Sequence, residues 1–222
     1  LRDAFPDAAI PGVVDGKVLT ESIGTALAAG HFARVPILNG MNHDEEWIFV
    51  AGLGVAVSGG TFVLAPAPTP ATYEGVIASV LGVTAPRASA IAAEYPLSAF
   101  PAAILALSTL VADANFACPA LQIDRWAAAR HVPTFAYQFN DDTSPQIFAG
   151  PDLPPIATHS SEIQYLFDMP NTPVPATLDP TQAQLADVMQ TAWTSFAASG
   201  DPATVITPWP SFAVGSQVLS FT

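Results

Sequence analysis

Positive charge is what this chain has least of. Lys17 is its only lysine, and six Lys and Arg stand against nineteen Asp and Glu, for a formal net charge of −13 over 222 residues. A phosphate backbone needs a basic surface, so nucleic-acid partners are excluded. Cysteine is nearly absent as well. The lone Cys118 rules out a disulfide within the chain and any cysteine-rich metal centre. In the apolar segment "ANFACPAL" it reads as a core residue rather than a nucleophile. Charge of either sign is scarce, at 11% of residues, against roughly a quarter in an average soluble domain. Mean hydropathy is correspondingly high, +0.39. Even so, the best candidate for a membrane span, the uncharged run Tyr95 to Ala112, carries Pro96 and Pro101 among its first seven residues. What remains has the length of a buried helix, and no membrane span is expected. The uncharged run after Phe49 is broken by glycine and proline and reads as loops.

What is present is a pattern of helix followed by strand. In "ESIGTALAAGHFARVPILNG", Ile23, Ala26 and Leu27 share one helical face, Gly30 suits the left-handed position past the helix end, and Val35 to Leu38 reads as a buried strand. "ALQIDRWAAARHVPTFAYQFN" repeats the order, with a helix over Leu121, Trp126 and Ala129 and a strand over Thr134 to Phe139. Two such units imply an α/β fold with a mostly parallel sheet flanked by helices. Between them, residues 52–115 read as an inserted, largely helical segment, with short helices at "TYEGVIASVLG" and "PRASAIAAEY". Near the end, Asp179, Pro180 and Gln182 form the signature of a capped helix start. Leu185, Val188, Met189, Ala192, Trp193 and Phe196 then recur at helical spacing until Gly200 and Pro202, a stripe that reads as core.

In a chain so poor in charge, "NHDEE" is a local exception: His43, Asp44, Glu45 and Glu46 directly follow a predicted strand. Ligands of open α/β sheets bind beyond the carboxyl ends of the strands. A second polar group, "ATHSSEIQYLF" with His159 and Glu162, follows the second strand. Two strand-end loops, one with carboxylates and one with a histidine, suit a carboxylate that orients an imidazole for general-base work. His31 and His131 end helices, where a cationic or donor side chain is simply stabilising. His43 with Glu46 and His159 with Glu162 each make His-x-x-Glu, but bridged metal sites use that spacing on long facing helices. These pairs lie in loops, so neither a metal nor another cofactor is expected. A serine nucleophile is missing. "AVSGG" around Ser58 has Ala56 where G-x-S-x-G needs glycine, and it follows the acid instead of preceding it.

The segments "VVDGKVL", "GHFARVPILNGMNHDE", "NFACPAL", "THSSEIQYLF", "AWTSFAASGDP" and "WPSF" resemble, in the same order, the C-terminal part of type-B carboxylesterases, the family that includes cholinesterases. The resemblance implies an α/β-hydrolase fold, with residues 1–222 as the C-terminal portion of one such domain, and hydrolysis of small-molecule carboxylic esters by a serine nucleophile. It implies that Glu45, in "G-x-N-x-D-E", is the catalytic acid and His159 the catalytic histidine, with Glu162 as a supporting glutamate and Asp44 shaping the loop. The nucleophile and oxyanion hole then belong to a missing N-terminal half, which becomes this chain's expected partner. Ile48 and Phe49 match two substrate-pocket aromatics of cholinesterases, and Ile48 offers no cation–π face, so a choline ester is not the expected substrate. Glu46 and Ser160 stand where the family often has glycine. The rival expectation is a non-catalytic interaction domain of the same fold. A half-sheet would expose an unpaired edge, so the chain is expected to be stable only with its other half or as an oligomer. Low lysine with high alanine and proline fits a secreted bacterial enzyme.

Overall fold

The computed structural model describes residues 13–50, 55–57, 61–63, 68–146, 156–169, 177–204, 207–213 and 215–222. These fall into two units, the first drawn from residues up to Thr20 and from Glu46–Ala112, the second from Glu21–Glu45 and Asp113–Thr222.

The second unit carries the parallel sheet. β1 (Ile37–Asn42), β4 (Thr134–Phe139) and β5 (Val218–Phe221) stand in the order β1-β4-β5, each neighbour pair parallel. The helices α1 (Ile23–Ala29), α5 (Cys118–Ala128), α6 (Ile163–Leu166) and α7 (Pro180–Ser199) belong to the same unit. β1 begins later than the hydrophobic run suggests and continues through Gly40 and Asn42, while Val35 is 57% exposed. Pairing with β4, not local hydrophobicity, sets its limits: Ile37 lies opposite Thr134 and Asn42 opposite Phe139.

On one face of this sheet the side chains are aromatic. Phe135, Phe139, Tyr165, Met189, Trp209 and Phe221 are buried together, with Leu38, Tyr137, Trp193 and Phe196 packed against them. Ring centroids of Tyr137 and Trp193 lie 4.9 Å apart and those of Trp209 and Phe221 5.4 Å apart, both edge to face, the arrangement ring quadrupoles favour. The Trp209 indole donates to the Ala136 carbonyl at 3.1 Å, so its one polar group is not stranded. α7 supplies this face as the sequence pattern predicts. Asp179 accepts from the Gln182 amide, the Gln182 side chain returns to the Asp179 N–H, and the helix ends at Gly200 with φ 78°. Gly30 closes α1 likewise, with φ 82°.

Gly40 is required by a close approach. It lies opposite Tyr137, and a methyl group on its Cα would overlap both the tyrosine ring and the tyrosine carbonyl oxygen. The backbone oxygen cannot move away without breaking the ladder.

α5 covers the other face with a different phase from the predicted one. Its buried residues are Asp124 and Ala127, whereas Trp126 is half-buried and Ala129 exposed. Asn39 of β1 donates to Asp124 at 3.0 Å and to the Ala120 carbonyl at 3.2 Å, which makes a carboxylate tolerable there. Cys118, expected in the core, is exposed instead. At 100° per residue it stands on the side of the helix opposite Ala127.

The first unit has its own core. α2 (Tyr73–Leu81), α3 (Ala85–Glu94) and α4 (Ala103–Ala112) bury Tyr73, Val76, Ile77, Val80, Ala88, Leu107, Leu110 and Val111. The same unit holds a two-stranded antiparallel pair, β2 (Val55–Val57) with β3 (Thr61–Val63). The helical stretch Ala103–Ala128, 26 residues long, is apolar enough by composition to cross a membrane. Within the first unit, its residues Ala106, Leu107, Leu110 and Val111 are buried against α2 and its neighbours.

Beyond β4, Asp141 ties two helices to the sheet. It accepts from the Thr143 N–H at 2.8 Å and hydroxyl at 2.7 Å, from the Tyr165 hydroxyl at 2.5 Å and from Gln182 at 3.4 Å. Burial works to raise its carboxyl, but these donors outweigh it and hold the group below the usual aspartate range.

Two outcomes follow for unfolding experiments. Gly40→Ala should destabilise the protein by ~3 kcal/mol or more, measured by urea titration of Trp fluorescence, because the added methyl has rigid backbone in its way. Asp141→Asn should cost ~1–3 kcal/mol at pH 7. Because the folded pKa is depressed, the wild-type advantage is complete above the unfolded value of ~3.9 and is lost as the pH falls through the folded one. The gap between variant and wild type should therefore close in acid; a gap independent of pH would deny the carboxylate this role.

Candidate active site

The β1–β4 ladder does not stop where the strands do. The His43 N–H donates to the Phe139 carbonyl at 2.9 Å and the Asp44 N–H to the Ala157 carbonyl at 2.8 Å, and Asp44 forms a parallel bridge with Thr158. Two loops far apart in sequence are thus joined backbone to backbone, one residue before Glu45 and one before His159. Their side chains meet: His159 Nδ1 lies 2.6 Å from Glu45 Oε2. The other carboxylate oxygen, Oε1, accepts from the Asn42 N–H at 2.7 Å. Both oxygens of the acid are engaged, which fixes its plane.

The burial is unequal, and the inequality matters. Glu45's side chain is 7% exposed and His159's 38%. A carboxylate can only accept, so the Nδ1 contact places a hydrogen on Nδ1 and, in the neutral ring, the basic lone pair on Nε2. The Phe116 ring, from a π turn at Asp113–Ala117, stands beside the imidazole with centroids 5.8 Å apart.

Glu162 enters the same network through Asn42 instead of bonding directly to the histidine. The Asn42 amide donates to Glu162 Oε2 and, at 2.8 Å, to the Thr158 carbonyl. Burial raises the Glu162 carboxyl above its ordinary range; the Asn42 hydrogen bond and the His159 charge pull the other way, while Glu45 adds to the rise. Tyr137, from β4, is raised by burial and then by the charges of Glu162 and Glu45, so it lies within the electrostatic reach of both carboxylates.

Asp44 serves elsewhere. Its side chain lies 3.1 Å from His43 Nδ1, and this contact raises the His43 imidazole, against burial, with Asp142 and Asp113 adding to the rise. His31 likewise meets a carboxylate, Glu21, at 2.7 Å on the surface. Among the described residues no group of three or more His, Cys, Asp or Glu side chains converges as a metal site.

The sequence-predicted positions sort as follows. Glu45, His159 and Glu162 are brought together, with Asp44 contributing its backbone. Ile48 and Phe49 belong to the first unit, where Ile48 is buried and Phe49 half-buried. Ser58 lies outside the described residues. Ser160 has φ 70°, the left-handed region that favours glycine, which accounts physically for the glycine its resemblance leads one to expect there. Glu46, the other departure, is not among the positive-φ residues and is only 2% exposed. Reading by residue type missed Asn42 and Phe116. Asn42 was in view inside "G-x-N-x-D-E", but an amide at a strand end carries no signal of its own.

Comparison with known proteins covers nearly the whole chain. The profile of the carboxylesterase family matches residues 3–222. Among relatives, a para-nitrobenzyl esterase of Bacillus subtilis is 26% identical over 90% of this chain and 36% of its own length. An acetylcholinesterase of Bungarus fasciatus is also 26% identical, over 90% of this chain and 33% of its own. A solved PNB esterase structure superposes with a TM-score of 0.66 at 20% identity, over 96% of this chain and 40% of that one. The chain therefore spans about a third to two-fifths of the length of the proteins it matches. With a parallel sheet of the α/β-hydrolase kind and a family match from end to end, the chain belongs to the carboxylesterase family.

Proposed function

We propose that this chain is the acid-and-histidine portion of a serine esterase that hydrolyses small-molecule carboxylic esters, with Glu45 and His159 as two members of a Ser-His-Glu triad. The observation that carries the reading is the 2.6 Å contact between His159 Nδ1 and a dry Glu45 whose second oxygen is held by the Asn42 N–H. A buried carboxylate behind a partly exposed imidazole is the arrangement that makes Nε2 a directed base.

In this reading His159 Nε2 takes the proton of a serine hydroxyl as its oxygen attacks the ester carbonyl. It then gives that proton to the departing alkoxide, leaving an acyl-enzyme. Water, deprotonated by the same nitrogen, attacks the acyl carbonyl, and Nε2 passes that proton to the serine oxygen as the acyl–serine bond breaks and the carboxylic acid departs. Throughout, Glu45 keeps the hydrogen on Nδ1 and stabilises the imidazolium by its negative charge, in surroundings that screen it less than water does. The serine and the oxyanion hole come from an N-terminal half outside this chain, a view supported by the fraction of its relatives' length that the chain spans. Residues 52–115 are read as an insertion in the same domain, and Ile48 and Phe49, by their match to two pocket positions of cholinesterases, as substrate-pocket residues. An aliphatic Ile48 favours an ester without a quaternary ammonium group.

The test is a denaturing intact-mass spectrum of the complete protein after treatment with a serine-reactive phosphonate, followed by kinetics of Glu45→Gln. A phosphonate adduct on a serine, with turnover lowered by ~10⁴ in the variant at unchanged fold, is the expected outcome. Absence of any adduct, or near-normal turnover in Glu45→Gln, overturns it.

A further inference from the structure

Asn42 is 1% exposed and is bonded to Glu45, to Glu162 and to the backbone of the histidine loop. Its backbone N–H holds Glu45 Oε1 at 2.7 Å. Its side-chain amide donates to the Thr158 carbonyl at 2.8 Å, on the residue before His159, and to Glu162 Oε2. Its side-chain oxygen, by contrast, is buried with no hydrogen-bond partner among the described residues. An amide whose acceptor half is idle in a dry site is used for its donors. Leucine fills similar space but donates nothing, and aspartate would set a third carboxylate against Glu45 and Glu162.

We propose that Asn42 is a positioning residue of the Glu45–His159 pair: it locks the acid and histidine loops together and holds Glu162 in place as a second carboxylate beside the imidazole. The titratable groups that act on His159 are Glu45 from the loop after β1, at 2.6 Å, and Glu162 from the start of α6, through its charge; Tyr137 from β4 interacts with both carboxylates, and its hydroxyl stays neutral at physiological pH. Asp44 is engaged by His43. With the Asn42 donor in place Glu162 keeps more of its charge; without it, burial is less opposed and Glu162 takes up a proton more readily. Asn42 thus sets how much negative charge His159 experiences, and through it the basicity of Nε2.

The kinetic consequence rests on the esterase reading above; the geometry does not. The complete protein is compared as wild type, Asn42→Leu, Glu162→Gln and the double variant, by NMR titration of the His159 ring and by hydrolysis of p-nitrophenyl acetate. Asn42→Leu should lower the His159 titration midpoint by ~0.5–1 pH unit. It should lower kcat by ~10-fold or more with little change in KM, and move the acidic limb of kcat/KM to lower pH. In the Glu162→Gln background it should add little further shift, because both changes remove the same charge. A midpoint that does not move in Asn42→Leu, or shifts that simply add in the double variant, overturn the inference. If Asn42→Leu does not fold, Asn42→Ser, too short to bridge both acceptors, takes its place with the same expected signs. Should the wild type cleave no ester, the esterase reading falls, while the midpoints still decide the role of Asn42.

Discussion

The constraint on which the site depends is the extension of β1 past its end, first against Phe139 of β4 and then against Ala157 and Thr158 of the histidine loop. From Ile37 opposite Thr134 to Asn42 opposite Phe139 the pairing is regular, and the bonds from His43 and Asp44 carry it into the loops. Because side chains alternate along a strand, a slip of one residue would turn Asn42 to the other face of the sheet, away from Thr158 and Glu162. Register is therefore a functional quantity here. Gly40 guards it, since the Tyr137 ring occupies the space above its Cα, and that ring is in turn wedged against Trp193 of α7. The geometry of the candidate site and the aromatic core meet at one strand pair.

A buried acid is costly unless its oxygens are satisfied, and Glu45 shows how a charge-poor chain manages it. The donors are a main-chain N–H and an imidazole, not a lysine or arginine. A main-chain donor is set by the fold and has no side-chain entropy to lose, and an imidazole can change charge during a reaction cycle, which a guanidinium cannot. The buried Asp124 and Asp141 follow the same rule, held by Asn39 in one case and by Thr143, Tyr165 and Gln182 in the other.

Much of this was legible in the sequence, for reasons that differ from element to element. α7 was readable in full because its start and stop are local chemistry, and the capping box of Asp179 and Gln182 forms as the spacing implies. β4 is legible because Thr134, Phe135, Tyr137 and Phe139 crowd four β-formers into six residues. β1 was read short because Gly40 and Asn42 are poor strand formers, and only the partner strand explains their conformation. α5 was misphased because Asp124 lies in its buried stripe, and no periodicity argument places a carboxylate there before Asn39 is known to reach it. Within the site, Glu45 and His159 could be named from strand-end position and motif. Asn42 could not be given its part in the network: its contacts with Thr158 and Glu162 span 116 and 120 residues.

The scarcity of lysine and arginine has its consequence in this network. At His31, His43 and His159 a carboxylate is joined to an imidazole, so the positive partner in each pair is itself titratable. For the two exposed pairs solvent screens the interaction and little depends on it. At the third, Glu45 is dry and Glu162 is close by, and the local field comes from two carboxylates and one ring. A permanent cation in that position would neutralise the acids and leave the ring with no reason to hold a proton. With so few permanent cations in the chain, the imidazole is the group onto which the field of both acids falls, which is the electrostatic condition for a base that must gain a positive charge and give it up again.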